Sequence, residues 1–142
     1  MTLIDANLLL YAYNPSFALH DRARDWLQRT LSSHEAVCLA WATVVAFIRI
    51  GTNPRAFEQP LTAGEAVEIV STWLTWPSVD LLDPGDRHWE ILSGLLAETR
   101  VRGPLVADAH LAALAIEHGA TLASTDRDFS RFPGLSLVNP LA

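Results

Sequence analysis

Three aspartates stand where a carboxylate has little reason to be unless it has a task. Asp5 ends the apolar run TLI, Asp126 ends TLAST, and Asp108 interrupts the almost wholly apolar VADAHLAALAI. In an open parallel sheet, ligands gather at the carboxyl ends of the strands, so a polar residue at which a strand stops is the informative one. A helix or turn follows both Asp5 and Asp126, and the plain role for each is an N-cap; one residue can fill both roles. Asp108 is harder to explain that way. The helix dipole in its early turns contributes about 0.3–1 kcal/mol, too little to offset burial of a free charge. A metal ion or an arginine must lie close to it.

Three carboxylates at one sheet edge would form an oxygen-only site suited to Mg²⁺ or Mn²⁺. An ion held there suits polarising a phosphate and activating a water for in-line attack. The rest of the composition narrows the chemistry. All ten basic residues are Arg and none is Lys, which removes phosphatases of the haloacid-dehalogenase type and receiver domains, both of which pair a Lys with the phosphorylated Asp. Neither GxxxxGK[ST] nor GxGxxG occurs, so ordinary nucleotide-binding loops are excluded as well. The five His include no HExxH pair, against a catalytic zinc site.

The elements that must position these acids follow from the apolar pattern. TLID reads as a buried strand feeding a helix over ANLLLYAY, closed by Asn14-Pro15. An amphipathic helix is predicted from Phe17 to about Leu31, a strand over 36–41, and a helix over ATVVAFIRIGTN that ends near Gly51. Thr62 and Glu65 have capping-box spacing ahead of another helix. VDLLD at 79–83 reads as a strand and Asp86 to about Arg100 as a helix. Pro104 suits the first position of the helix carrying Asp108, which Gly119 ends; ATLAST, a short turn over DRDFSRF and a last strand in LSLVNP complete the chain. Strands alternating with helices imply a three-layer α/β/α fold around a central parallel sheet, with residues 1–142 as a single domain.

A net charge of −6 argues against a blanket of positive charge for gripping nucleic acid, so any contact with RNA must be local. The apolar start of the chain is interrupted by Asp5 and stopped by Pro15, too short to span a membrane. With a single cysteine, Cys38, inside an apolar run, a reducing cytoplasm is the expected compartment.

Asp5-Ala6-Asn7 directly after the first strand, ADAHLAALAIEHGATLAS at 107–124 and Thr125-Asp126-Arg127-Asp128-Phe129 together resemble the PIN domain of VapC toxins. Residues 48–55, IRIGTNPR, resemble one branch of that family, and the likeness runs from residue 2 to about 139. The resemblance implies a metal-dependent endoribonuclease acting on structured RNA such as tRNA or ribosomal RNA. It also implies the toxin half of a toxin–antitoxin pair, usually dimeric and held inactive by a small VapB-type antitoxin. The matching acids are Asp5, Asp108 and Asp126 as catalytic, Mg²⁺- or Mn²⁺-holding residues, with Asp128 as an auxiliary and with Asn7 and Thr125 orienting them by hydrogen bonds. One position departs from the pattern: Ala46 stands where the family usually has a Glu, three residues before Arg49. Its loss weakens the case for two tightly held ions.

Arg49, Arg55, Arg127 and Arg131 could meet RNA phosphates, since Arg matches phosphate geometry bidentately; pairing with the chain's own 16 acids is the plain alternative. Trp26, Trp73 and Phe47 fall on apolar helix faces and read as core rather than as base-stacking platforms. His20, His34 and His88 read as exposed, and His110 as a polar surface or rim residue. The absence of Glu at 46 favours a second reading, a catalytically weak PIN domain that binds RNA or an antitoxin without cutting. An acidic site alone also admits a phosphatase or a nuclease acting on DNA.

Overall fold

The computed structural model covers residues 1–142. Five short strands, β1 (Thr2–Ile4), β2 (Val37–Ala40), β3 (Val79–Leu82), β4 (Thr121–Ala123) and β5 (Ser136–Val138), form one sheet in the order β3-β2-β1-β4-β5. Every pairing is parallel, with Leu3 level with Cys38 on one side and Leu122 on the other. The three-layer architecture expected from the alternating pattern is therefore present. In this order the chain works outward from β1 to β3 and then returns to β4 on β1's other side. The boundary between β1 and β4 is thus the topological switch point, where connections leave the sheet in opposite directions and where parallel sheets of this kind bind their ligands.

Alternation along the central strands sends side chains into two separate cores. Ile4, Val37, Leu39 and Ala123 join one with α1 (Ala6–Tyr13), α2 (His20–Ser32), α3 (Trp41–Gly51) and α4 (Ala63–Thr75). Leu3, Cys38, Ala40 and Leu122 join the other with α5 (His88–Thr99), α6 (Leu105–His118) and the 3-10 turn Arg127–Arg131. Trp73 and Phe47 lie at the centre of the first core, their rings 4.8 Å apart, and the Trp73 indole N–H donates to Tyr13 Oη at 2.9 Å. Alanines at 109, 112, 113 and 115 let α6 lie close on the sheet, which brings the helix carrying Asp108 down toward β1 and β4.

Local signals set most of the boundaries. Thr62 and Glu65 make both reciprocal bonds of the capping box at 3.0 Å. Gly119 ends α6 in the left-handed region at φ 67, where a Cβ would be strained. Two expectations shift. The α2 helix begins at His20, three residues after Phe17, because Phe17 turns its ring against Tyr11 and Phe57 instead of entering the helix. Pro104 stands one residue ahead of the first helical position of α6.

Candidate active site

The site is assembled from the loops leaving β1 and β4 and from the first turns of α6. Asp5 leaves β1 and caps α1 with one carboxylate oxygen, which accepts from the Ala6 N–H at 2.8 Å. Its other oxygen accepts from the Ser124 hydroxyl at 2.7 Å. Asp126, just beyond β4, caps the 3-10 turn by accepting from the Asp128 N–H at 2.9 Å. The capping role and a position at the strand ends thus coincide in both residues.

Ser124, almost fully buried, ties the two loops together. Besides donating to Asp5, its oxygen accepts from the Asp126 N–H at 3.0 Å and from Asn7 Nδ2 at 3.3 Å. Asn7 Nδ2 also donates to Thr125 Oγ1 at 2.8 Å. Sequence reasoning passed over Ser124, whose only mark is its place between strand β4 and Thr125. Asn7 and Thr125 do bond each other, and their link to Asp5 runs through this serine. Because the Ser124 proton goes to Asp5, the Asn7 group facing Ser124 must be the donor NH₂. The Asn7 carbonyl oxygen is then left buried with no partner.

Burial raises two of the acids, and their neighbours' charges add to it. Burial pushes the Asp108 carboxyl up from its ordinary 3.8 to about 6, and the negative charges of Asp126, Asp5 and Asp128 add to the rise while Arg131 opposes it. Asp5 is also raised, first by burial and then by Asp126, against the lowering bonds from Ser124 and Ala6. No three metal-ligating side chains are drawn together into a finished cage. Asp128 is engaged elsewhere: Arg131 Nη2 bonds its carboxylate at 3.2 Å and Arg131 Nε its carbonyl at 3.0 Å. Arg131 is thus a cation of the kind that half-buried Asp108 calls for.

The other nominated arginines are placed less closely. Arg127 opens the 3-10 turn, exposed, beside Asp126. Arg49 is exposed in the last turn of α3, about 12 Å along the helix from its β2 end. Arg55 is exposed in the loop after α3, where its N–H closes an Asx turn on Asn53. Ala46 is half-buried in α3. Two expectations about histidines are corrected. His88 is not exposed: its ring is packed against that of His110, with His88 Nε2 and His110 Nδ1 2.9 Å apart, because both face the seam between α5 and α6. His20 is half-buried, its Nδ1 2.8 Å from the Tyr11 carbonyl.

The strand order β3-β2-β1-β4-β5, with Asp5 and Asp126 on the loops leaving the two strands at its switch point, defines a small parallel α/β fold with carboxylates at the carboxyl ends of its strands. Comparison with known proteins gives the family. The PIN domain model matches residues 2–135. The chain is 42% identical to Ribonuclease VapC37 of Mycobacterium tuberculosis over 142 residues, covering 100% of this chain and 99% of that protein. It is 40% identical to Ribonuclease VapC33 of the same species over 141 residues, 99% of each. Among solved structures, VapBC2 of Rickettsia felis bound to a promoter DNA fragment superposes with a TM-score of 0.70 at 17% identity, over 97% of both chains. VapC20 of M. tuberculosis, described as a sarcin-ricin loop cleaving toxin, superposes with a TM-score of 0.69 at 18% identity, over 96% of this chain and 99% of that one. The chain belongs to the PIN-domain family and, within it, to the VapC group.

Proposed function

We propose that the protein is a metal-dependent endoribonuclease, the toxin of a VapBC-type toxin–antitoxin pair, cutting structured RNA such as tRNA or ribosomal RNA. What carries this reading is that, in a VapC-group chain, Ser124 ties Asp5 to the Asp126 loop at the β1/β4 switch point, with the charges of both acids acting on Asp108. The donor chemistry fits Mg²⁺ or Mn²⁺: hard carboxylate oxygens, no sulfur or imidazole among them, and a buried Asn7 oxygen still lacking a donor. Asp5, Asp108 and Asp126 would hold the ion, which when bound supplies Lewis acidity for phosphodiester hydrolysis. Ser124, with Asn7 and Thr125 behind it, fixes Asp5 and the Asp126 loop so that few side-chain rotamers are lost on loading. Arg127 lies beside the acids and Arg49 and Arg55 farther off, as candidates for backbone phosphates of the RNA. A VapB-type antitoxin as partner, a homodimer and a cytoplasmic setting complete the proposal. Solved relatives include toxin–antitoxin complexes, and no helix is long and apolar enough to cross a membrane.

The test is incubation of purified, antitoxin-free protein with a pool of tRNA and ribosomal RNA in Mg²⁺, Mn²⁺ or EDTA, alongside Asp5→Asn and Asp108→Asn. Discrete fragments that require metal and both aspartates are expected. Ala46 favours the second reading, a domain that binds RNA or antitoxin with little or no cleavage. Absence of cleavage in the folded wild type would select that reading, and a large gain from Ala46→Glu would trace it to the missing acid.

A further inference from the structure

The fourth acid near the site is not free. Asp128 borders the site: its N–H donates to Asp126 Oδ1 at 2.9 Å, and its charge adds to the rise of the Asp108 carboxyl. Yet it is held at three points. Its N–H donates to Asp126, its carbonyl accepts from Arg131 Nε at 3.0 Å, and its carboxylate accepts from Arg131 Nη2 at 3.2 Å. An exposed ion pair three residues apart is ordinarily worth little. Here the guanidinium grips main chain and side chain together, and the turn it closes is the one that Asp126 caps.

We propose that Arg131 is a positioning residue of the acidic site: its two-point clasp on Asp128 withholds that carboxylate from the metal ion. Ala46 leaves the site one acid short of the family pattern, and the clasp keeps Asp128 from making up the number. The site then works with Asp5, Asp108 and Asp126 alone. This inference rests on the metal-site reading above. A lysine at 131 would keep the charge but, as a single point donor, would lose the planar two-atom grip.

The test is calorimetric titration of Mn²⁺ alone into the apo full-length protein and its variants, a readout that needs no RNA. Arg131→Ala is expected to bind Mn²⁺ about threefold to tenfold tighter than wild type, and Arg131→Lys about twofold to threefold tighter, because both release Asp128. Adding Asp128→Asn to Arg131→Lys is expected to remove the gain. Wild-type affinity in Arg131→Ala would overturn the proposal. So would a gain in Arg131→Ala with none in Arg131→Lys, which would reduce Arg131 to a nearby charge. If wild type binds Mn²⁺ no better than Asp5→Asn, the metal-site reading itself falls and takes the clasp with it.

Discussion

Ser124 and Asp108 carry opposite energetic signs. The Ser124 hydroxyl is a buried junction for Asp5, Asn7 and the Asp126 N–H, so Ser124→Ala strands several polar groups at once. A loss of about 1–3 kcal/mol is expected in urea unfolding, together with a further rise of the Asp5 carboxyl, since its hydrogen bond from Ser124 lowers it. Asp108, in contrast, opposes folding of the apo protein. Its carboxyl sits at about 6 in the folded chain against an ordinary 3.8. Between those values the folded chain keeps a proton that the unfolded chain has released. Stability therefore falls as pH rises through that window, and the cost is fully present above it. Asp108→Asn should raise the melting temperature at pH 7 without added metal and flatten its dependence on pH, leaving a weaker slope from Asp5, which is raised too. A variant that melts lower than wild type at pH 7 would contradict this account. The same proton competes with a cation, so Mn²⁺ affinity should drop as pH falls below about 6.

Elements are held at the site by contacts between distant parts of the chain. Glu117, near the end of α6, accepts from the Gly85 N–H at 2.8 Å and the Arg87 N–H at 3.0 Å, fixing the loop between β3 and α5. Those bonds, the Gly85 one foremost, also hold its carboxyl below the usual range. A Cβ at Gly85 would come within 2.6 Å of that carboxylate. Glu117→Ala should speed amide exchange at Gly85 and Arg87 while leaving the β1 and β4 amides protected; unchanged exchange would show that the loop is held by other means. This clasp also shows what could be read in advance. Periodicity, Asn14-Pro15, the Thr62/Glu65 box and Gly119 are local signals, and they placed the strands and most helix ends. Asp5 and Asp126 were legible because strand ends are. The His88–His110 pairing and the Glu117 clasp join residues 22 and 30 or more positions apart, for which no local pattern exists. Arg22, exposed on α2, likewise donates to the distant Leu141 carbonyl and ties residue 141 to α2.

For the whole molecule, the two cores and the acids at the strand ends make opposing demands. Packing of α6 on the sheet through its alanines half-buries Asp108 near Asp5 and Asp126, and the native state carries the cost of that burial and, added to it, their repulsion. Any cation that binds these acids in the folded state and not the unfolded chain recovers that cost as stability. Mn²⁺ at about a hundred times its dissociation constant should add roughly 2.7 kcal/mol, which for a chain of this size is a rise of about 5–10 °C in melting temperature. EDTA should return it to the apo value. Asp108→Asn gives the discriminating pattern: apo stability goes up and the Mn²⁺-induced rise shrinks, because one substitution removes both a buried, repelled charge and an ion-holding oxygen. A surface-binding ion would instead raise wild type and variant alike, and would sever the link between the fold's strain and its chemistry.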